Sequence, residues 1–545
     1  MESNTKKTSF IMGAAILAAA SLICKVLGVL FRVFAIRILG EEGMFFYEKV
    51  YPIYSWLLII SSSGIPIAIS RMVAARVAKG DFRGAEDVFK RAFWMLFFLG
   101  LATTAVMFFG AEPIARLILD SENPGMRWSL MALAPALFFT SILCAYRGYL
   151  QGLQRMNGTG LSQLAEQIFK MLFGLSLAAF LFRRYLHTPY SAAAGSVGIL
   201  LGVSISEALA IAVIYPIYRK ERAHLLPKDI PASPNENDRV LWNLLTIAVP
   251  ITLGASILPI ANVVDSAMIT RLLIGIGLPA PEAERLYVIL CTYVRSIINL
   301  PAGISTSISM ALVPAIAAAM ARKEPENVKR LTATSIKLAM AIGVPCAVGL
   351  SVLARPIIFL LYGSILPRSL DTAQYLMHIA AFTVIFISLS QTATGALQGV
   401  GKQRLPVWFL LIGGITKIIV NIVCVQIPSI NILGAVFSNL SCYGIAAILD
   451  TVALVVVTKA KLPVVDTFLK PILAAGVMGA CAYLVYAGIG RIVDVNRYLF
   501  SAAACVASIA VAVIVYVVMV VVLRLFTREE LALIPGGRKL MRFAK

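Results

Sequence analysis

Three fixed positive charges interrupt an apolar run near the start of the chain: Lys25, Arg32 and Arg37, within Cys24-Lys25-Val26-Leu27-Gly28-Val29-Leu30-Phe31-Arg32-Val33-Phe34-Ala35-Ile36-Arg37. Insertion scales put Lys or Arg at the centre of a membrane helix at about +2.5 to 3.5 kcal/mol, so such groups should face a protein interior or a wet cavity. Lys25 and Arg32 are seven residues apart, two helical turns, which stacks them on one helix face about 10 Å apart along the axis. That face calls for an anion. The simpler alternatives are that Arg37 snorkels to lipid headgroups and that Lys25 finds a carbonyl or an acid.

Further polar residues fall at membrane depth: Glu48 and Lys49, Glu166 and Lys170, Glu207, Asp265, Arg295 and Asn299, and Lys417 and Asn421. Each is a functional candidate by default. Glu166 and Lys170, four apart, can pair on one helix face in a packing role. Arg295 and Asn299 share a face just before Pro301 and Gly303, where a bend would open backbone groups to a cavity, and they are expected to contact substrate. Glu48, Glu166, Lys170, Asp265, Lys417 and Asn421 are assigned to coupling or gating. Asp265 could neutralise a base such as Lys417, or carry a proton or sodium ion. His187, His224 and His378 lie at or near loops and receive no role.

These residues need a scaffold in lipid. With 545 residues, 59% hydrophobic content and only 14% charged residues, the chain is a polytopic membrane protein rather than a soluble globular one. The net charge of +21 resides in short loops between apolar runs, the pattern of cytoplasmic loops at an anionic membrane surface, so nucleic acid is discounted as a partner. All eight cysteines lie in apolar runs without a CxxC pair, arguing against disulfides and structural zinc. The first twenty residues imitate a secretory signal, with Lys6, Lys7 and Ala18-Ala19-Ala20, yet the apolar run continues to Phe34 and no cleavage is expected.

Apolar stretches of about 20 residues predict an all-α chain of about fourteen transmembrane helices. Basic loops around Arg76, Lys79, Arg83, Lys90 and Arg91, around Arg219, Lys220, Arg222 and Lys228, and around Arg322, Lys323, Lys329 and Arg330 place both termini in the cytoplasm, with the tail Arg538, Lys539, Arg542 and Lys545. A charged segment at 219–239, containing Pro227, Pro231 and Pro234, reads as a linker between two six-helix halves. The halves repeat: Leu150-Gln151-Gly152 followed by Lys170 matches Leu397-Gln398-Gly399 followed by Lys417, with the same spacing from Gln to Lys. Ser63-Gly64-Ile65-Pro66 likewise resembles Pro301-Ala302-Gly303-Ile304, and each is followed by a basic loop. The expected division is 1–225 (helices 1–6), 226–460 (helices 7–12) and 461–545 (two further helices and a basic tail). Internal repeats around a midplane site are the architecture of secondary transporters. No Walker A sequence is present, because Gly399-Val400-Gly401-Lys402 lacks both the spacing and the following Ser or Thr, and no aqueous catalytic domain is visible, so the protein is not expected to be an enzyme.

Glu41-Glu42-Gly43 through Tyr51-Pro52-Ile53-Tyr54, then Ser63 to Ser70, Tyr146-Arg147-Gly148-Tyr149-Leu150-Gln151-Gly152 and Ser162-Gln163-Leu164-Ala165-Glu166-Gln167 resemble the stage V sporulation protein B group of polysaccharide biosynthesis proteins, close to the MurJ-type lipid II flippases. The resemblance covers nearly the whole chain. It implies the multidrug/oligosaccharidyl-lipid/polysaccharide exporter fold, two six-helix repeat lobes in a V plus two C-terminal helices. It also implies an undecaprenyl-pyrophosphate-linked oligosaccharide as substrate, foremost the peptidoglycan precursor lipid II, moved across the bacterial cytoplasmic membrane by alternating access. Lys25 and Arg32 stand at or near the family's helix-1 basic pair and Arg295 matches its helix-8 arginine, whereas Val294 stands where those proteins often have an acid. A pyrophosphate needs a cationic, partly dehydrated cavity, which Lys25, Arg32, Arg37, Arg295 and Asn299 would line. The expectation includes no bound cofactor, coupling to membrane potential, H+ or Na+, a monomer among membrane lipids, and cell-wall synthesis proteins as partners. A cation-coupled drug exporter and a non-transporting scaffold for envelope or spore assembly are the alternatives.

Overall fold

The computed structural model describes residues 2–225, 239–363, 367–492 and 497–527. Among them the chain is helical, with no strand. The linker prolines Pro227, Pro231 and Pro234 and the basic tail Arg538 to Lys545 lie outside the described residues.

Two compact units emerge, Met1–Ile274 with Pro279–Val288, and Gly275–Leu278 with Ile289–Lys545. In the first, the helices are α1 (Glu2–Ser62), α2 (Gly64–Ala78), α3 (Phe82–Phe109), α4 (Ala111–Pro113), α5 (Pro124–Gly152), α6 (Met156–Phe169), α7 (Leu175–Arg184), α8 (Ser191–Leu225), α9 (Val240–Gly275) and α10 (Ala280–Val288). In the second, they are α11 (Ser296–Ala321), α12 (Pro325–Val352), α13 (Ala354–Tyr362), α14 (Pro367–Ala380), α15 (Thr383–Gly399), α16 (Arg404–Val425), α17 (Leu433–Thr458), α18 (Lys470–Ile492) and α19 (Tyr498–Val522). Hydrogen bonds tie α9 and α10 to α1 within the first unit. Lys49 donates from Nζ to the Ser266 carbonyl and the Thr270 hydroxyl, and Tyr287 Oη donates to the Glu48 carbonyl at 3.3 Å.

Eleven described helices are long and apolar enough to cross a membrane, or twelve when α14 and α15, bent by 42°, form one broken span. α1 stands outside that number. It joins two helical arms across Gly40, whose φ of 67° and ψ of −174° are open to glycine but costly for other residues. The expected count of fourteen is therefore approximate. Pro66 sits in the first turn of α2, where its missing N–H costs nothing, and the α1–α2 break is at Ser63.

The internal repeat is written in the backbone. α2 ends with the Gly80 N–H on the Val77 carbonyl and the Asp81 N–H on the Arg76 carbonyl, and α11 ends with the same pair from Lys323 to Met320 and from Glu324 to Ala319. α5 closes with Gln154 on Gln151 and Arg155 on Leu150, and α15 with Gly401 on Gln398 and Lys402 on Leu397. All four are six-residue Schellman closures that need a left-handed residue, and Gly80, Lys323, Gln154 and Gly401 have φ of 76°, 57°, 61° and 83°.

With no hydrophobic drive between helices in lipid, close packing of small residues holds neighbours together. The Gly198/Gly202 pair of α8 shows this: a Cβ at Gly202 would lie 2.2 Å from Gly174 Cα, and one at Gly198 would lie 2.6 Å from the Leu177 backbone.

Candidate functional site

The Gly40 kink builds the charged cluster of the first unit. In a straight helix Arg32 and Glu48 would stand about 24 Å apart along the axis, yet Arg32 Nη2 lies 3.7 Å from Glu48 Oε1. The second arm of α1 therefore folds back along the first. It also brings Tyr47 to Phe31, with ring centroids 6.3 Å apart, and stacks Tyr51 on Tyr47 at 5.1 Å.

Lys170 enters the same region. It opens a π-helical turn, Lys170–Gly174, between α6 and α7, and its Nζ lies 4.6 Å from the Phe31 ring centroid and 5.4 Å from that of Tyr51. It is buried, and among the described residues it makes no hydrogen bond or ion pair, so its ammonium is supported by these two ring faces. The expected Glu166–Lys170 pair is thus not formed. Arg147 of α5 takes Glu166 instead, with Nη2 donating to Oε2 at 2.9 Å and Nε donating to Ser162 Oγ at 2.9 Å. A rigid guanidinium satisfies the acid and the hydroxyl together, which a lysine one turn along the helix does not. Glu207 of α8 is buried within electrostatic range of Glu166, Arg147 and Lys170.

Two ion pairs form in this network, Arg32 with Glu48 and Arg147 with Glu166, and Lys170 and Glu207 lie within electrostatic range of them. Lys25 stands apart. It is half-buried on the first arm of α1 and forms no hydrogen bond or ion pair among the described residues. Arg37 is exposed near the kink, while Asp265 is buried on α9 beside Ser266, the residue that holds Lys49. Lys49 is absorbed structurally, its Nζ lying 5.1 Å from the Tyr287 ring centroid and 5.6 Å from that of Phe45.

In the second unit Arg295 ends a π-helical stretch, Ile289–Arg295, directly before α11. The irregular backbone expected at Pro301 lies N-terminal to it: α11 runs through Pro301 and Pro314, and the wide turns come first. π-bulges inside membrane helices often mark functional positions. Tyr362 braces the stretch, donating from Oη to the Thr292 carbonyl at 2.8 Å, meeting Ser296 Oγ at 3.1 Å and packing edge-to-face with Tyr293, ring centroids 4.8 Å apart. Arg295 is half-buried and Asn299 exposed; Lys417 and Asn421, one turn apart, are both buried on α16.

Sequence reading missed two residues. Arg147 was visible only inside a motif, and its role required the packing of α5 against α6 and α8. Asp450 is a lone acid in the apolar run Ile448-Leu449-Asp450-Thr451-Val452, a signal that was present in the sequence. It is buried on α17 and accepts hydrogen bonds from Ser390 and Thr394.

Comparison with known proteins fits this geometry. Stage V sporulation protein B of Bacillus subtilis is 25% identical over 541 residues, covering 98% of this chain and 100% of that protein. Lipid II flippase MurJ of the same organism is 24% identical, covering 77% of this chain and 78% of that protein. Among solved structures, a lipid II flippase MurJ in its inward closed conformation superposes with a TM-score of 0.67 at 15% identity, over 93% of this chain and 98% of that one. A multidrug resistance MATE family transporter in its inward-facing conformation superposes with a TM-score of 0.64 at 15% identity, over 81% of this chain and 98% of that one. At these identities the structural likeness establishes the fold, an all-helical polytopic membrane architecture. A MatE model matches residues 291–423, and the model described as polysaccharide biosynthesis protein matches residues 10–320. That match spans more than half of the sequence, and the chain belongs to the polysaccharide biosynthesis protein family.

Proposed function

We propose that the protein is a flippase that moves an undecaprenyl-pyrophosphate-linked oligosaccharide, foremost lipid II, across the bacterial cytoplasmic membrane by alternating access, with both termini cytoplasmic. The observation that carries this reading is Lys25, a half-buried ammonium on α1 left without a countercharge among the described residues, while Arg32 and Arg147 are paired with Glu48 and Glu166. A cation at that depth is costly unless an anion completes it, and a diphosphate is such an anion. Arg32 sits two turns along the same arm, 3.7 Å from Glu48, and can exchange that carboxylate for a phosphate oxygen without a change of helix.

Relatives support a transporter rather than an enzyme, and their names mention lipid II and sporulation. The drug-exporter reading draws on the MatE match at 291–423, but the helix-1 charges have the wrong sign for a cationic drug. Coupling would come from membrane potential, H+ or Na+, with Asp265, Lys417 and Asn421 as the groups that respond.

The test is translocation of purified lipid II in proteoliposomes. Lys25→Ala and Arg295→Ala should abolish transport while the protein remains folded and inserted. A Lys25→Ala/Arg295→Ala double mutant with normal transport would overturn the mechanism, and competition by a cationic dye but not by lipid II would favour the exporter.

A further inference from the structure

In each half of the repeat, the fourth helix packs against the sixth: α5 against α8 in the first unit, α15 against α17 in the second. In the first, the acid of the sixth helix, Glu207, lies within electrostatic range of Arg147 on α5. Arg147 precedes Gln151 by the same interval as Thr394 precedes Gln398, so the repeat places threonine where the first unit has arginine. The sixth helix of the second unit nevertheless keeps an acid, Asp450.

Asp450 is 1% exposed. Ser390 Oγ and Thr394 Oγ1, both on α15, donate to its Oδ2 at 3.0 and 3.3 Å. Its Oδ1 is buried without a hydrogen-bond partner among the described residues. No base compensates it: α15 carries no charged residue, and no ion pair joins Asp450 to any lysine, arginine or histidine of α12, α14 or α16, the other helices packed on α17. On those helices Lys337 lies 5.3 Å from the Phe526 ring centroid, His378 bonds the Ser351 carbonyl, and Lys417 is buried on α16. A charged carboxylate so placed loses its hydration with only two hydroxyls in return, whereas a carboxyl bearing a proton is neutral and far cheaper to bury. Hard cations take about six or more oxygen ligands, and no group of three or more His, Cys, Asp or Glu side chains that could hold a metal exists among the described residues.

We propose that Asp450 is a proton-binding site of the second unit, occupied at neutral pH, with Ser390 and Thr394 as the residues that position its carboxyl. The inference does not depend on which lipid the protein carries, and its test reads protonation rather than transport.

The full-length protein in nanodiscs is treated with dicyclohexylcarbodiimide, which adds to protonated, apolar-buried carboxyls, across a pH series in potassium buffer, and labelled peptides are identified by mass spectrometry. Asp450 should be labelled at pH 7 and lose label as pH rises, and Asp450→Asn should show none at that peptide. Ser390→Ala removes a donor to the carboxylate and should move the midpoint of labelling to higher pH by about one unit. An infrared C=O band of protonated carboxyl that vanishes in Asp450→Asn would support the assignment without depending on reagent access. Absence of both label and band, or sodium blocking the label at constant pH, would overturn it.

Discussion

Replacing Arg147 by methionine tests the ion network most directly. The Arg147–Glu166 pair is 2.9 Å long, with side-chain exposures of 13% and 19%. The substitution leaves Glu166 half-buried beside Glu207, without its guanidinium partner and with the Gln167 amide as its remaining donor among the described residues. Breaking a buried pair by removing one partner costs about 3–5 kcal/mol, whereas replacing both partners by apolar groups is often neutral. Arg147→Met alone should therefore cost about 3 kcal/mol or more, and adding Glu166→Met should recover about 2 kcal/mol of that loss. The readout is the rate at which folded protein is lost from detergent solution at a fixed temperature. About 3 kcal/mol expressed in the unfolding rate is roughly a hundredfold. The reasoning is refuted if Arg147→Met unfolds no faster than the parent, or if the double mutant unfolds as fast as the single one. Glu166→Gln alone supplies the control, because it removes the acid and leaves Arg147 near Glu207, and it should unfold more slowly than Arg147→Met.

Gln154→Gly and Lys323→Gly should each stabilise the protein by about 0.5–1 kcal/mol, because both occupy left-handed positions where the repeat partner is glycine; differential scanning fluorimetry in detergent measures this, and a lowered melting temperature contradicts it. Gly202→Leu should sharply lower the yield of monodisperse protein on size exclusion, since a Cβ there would stand 2.2 Å from Gly174 Cα. Lys49→Met should destabilise by about 2 kcal/mol or more, as the Ser266 carbonyl and Thr270 hydroxyl lose a buried charged donor; unchanged thermal stability would show that Lys49 is not a fastener. Lys25→Ala should leave stability within about 0.5 kcal/mol, since nothing described is bonded to it, while abolishing lipid II transport; a large loss of stability would make Lys25 structural.

Several features were legible in the chain itself. Long apolar runs in a chain of 59% hydrophobic residues leave only membrane helices, because in lipid the backbone must satisfy its own hydrogen bonds. The repeat was legible too, in Leu150-Gln151-Gly152 and Leu397-Gln398-Gly399, because helix ends impose local backbone rules that short motifs record. Lys25, Arg32, Glu48 and Lys170 stood out by their cost at membrane depth.

Their partners did not. Spacing along one helix suggested Glu166 with Lys170, but Arg147 arrives from another helix and takes the acid, leaving Lys170 to two aromatic rings. Arg32 meets Glu48 because Gly40 turns α1 back on itself, and Lys49 meets Ser266 and Thr270 of α9, more than two hundred positions away. A sequence states which residues are too polar for lipid. Which of them neutralise one another, and which remain available to an anion or a proton, is decided by contacts between helices distant in the chain, and those contacts come into being when the units fold.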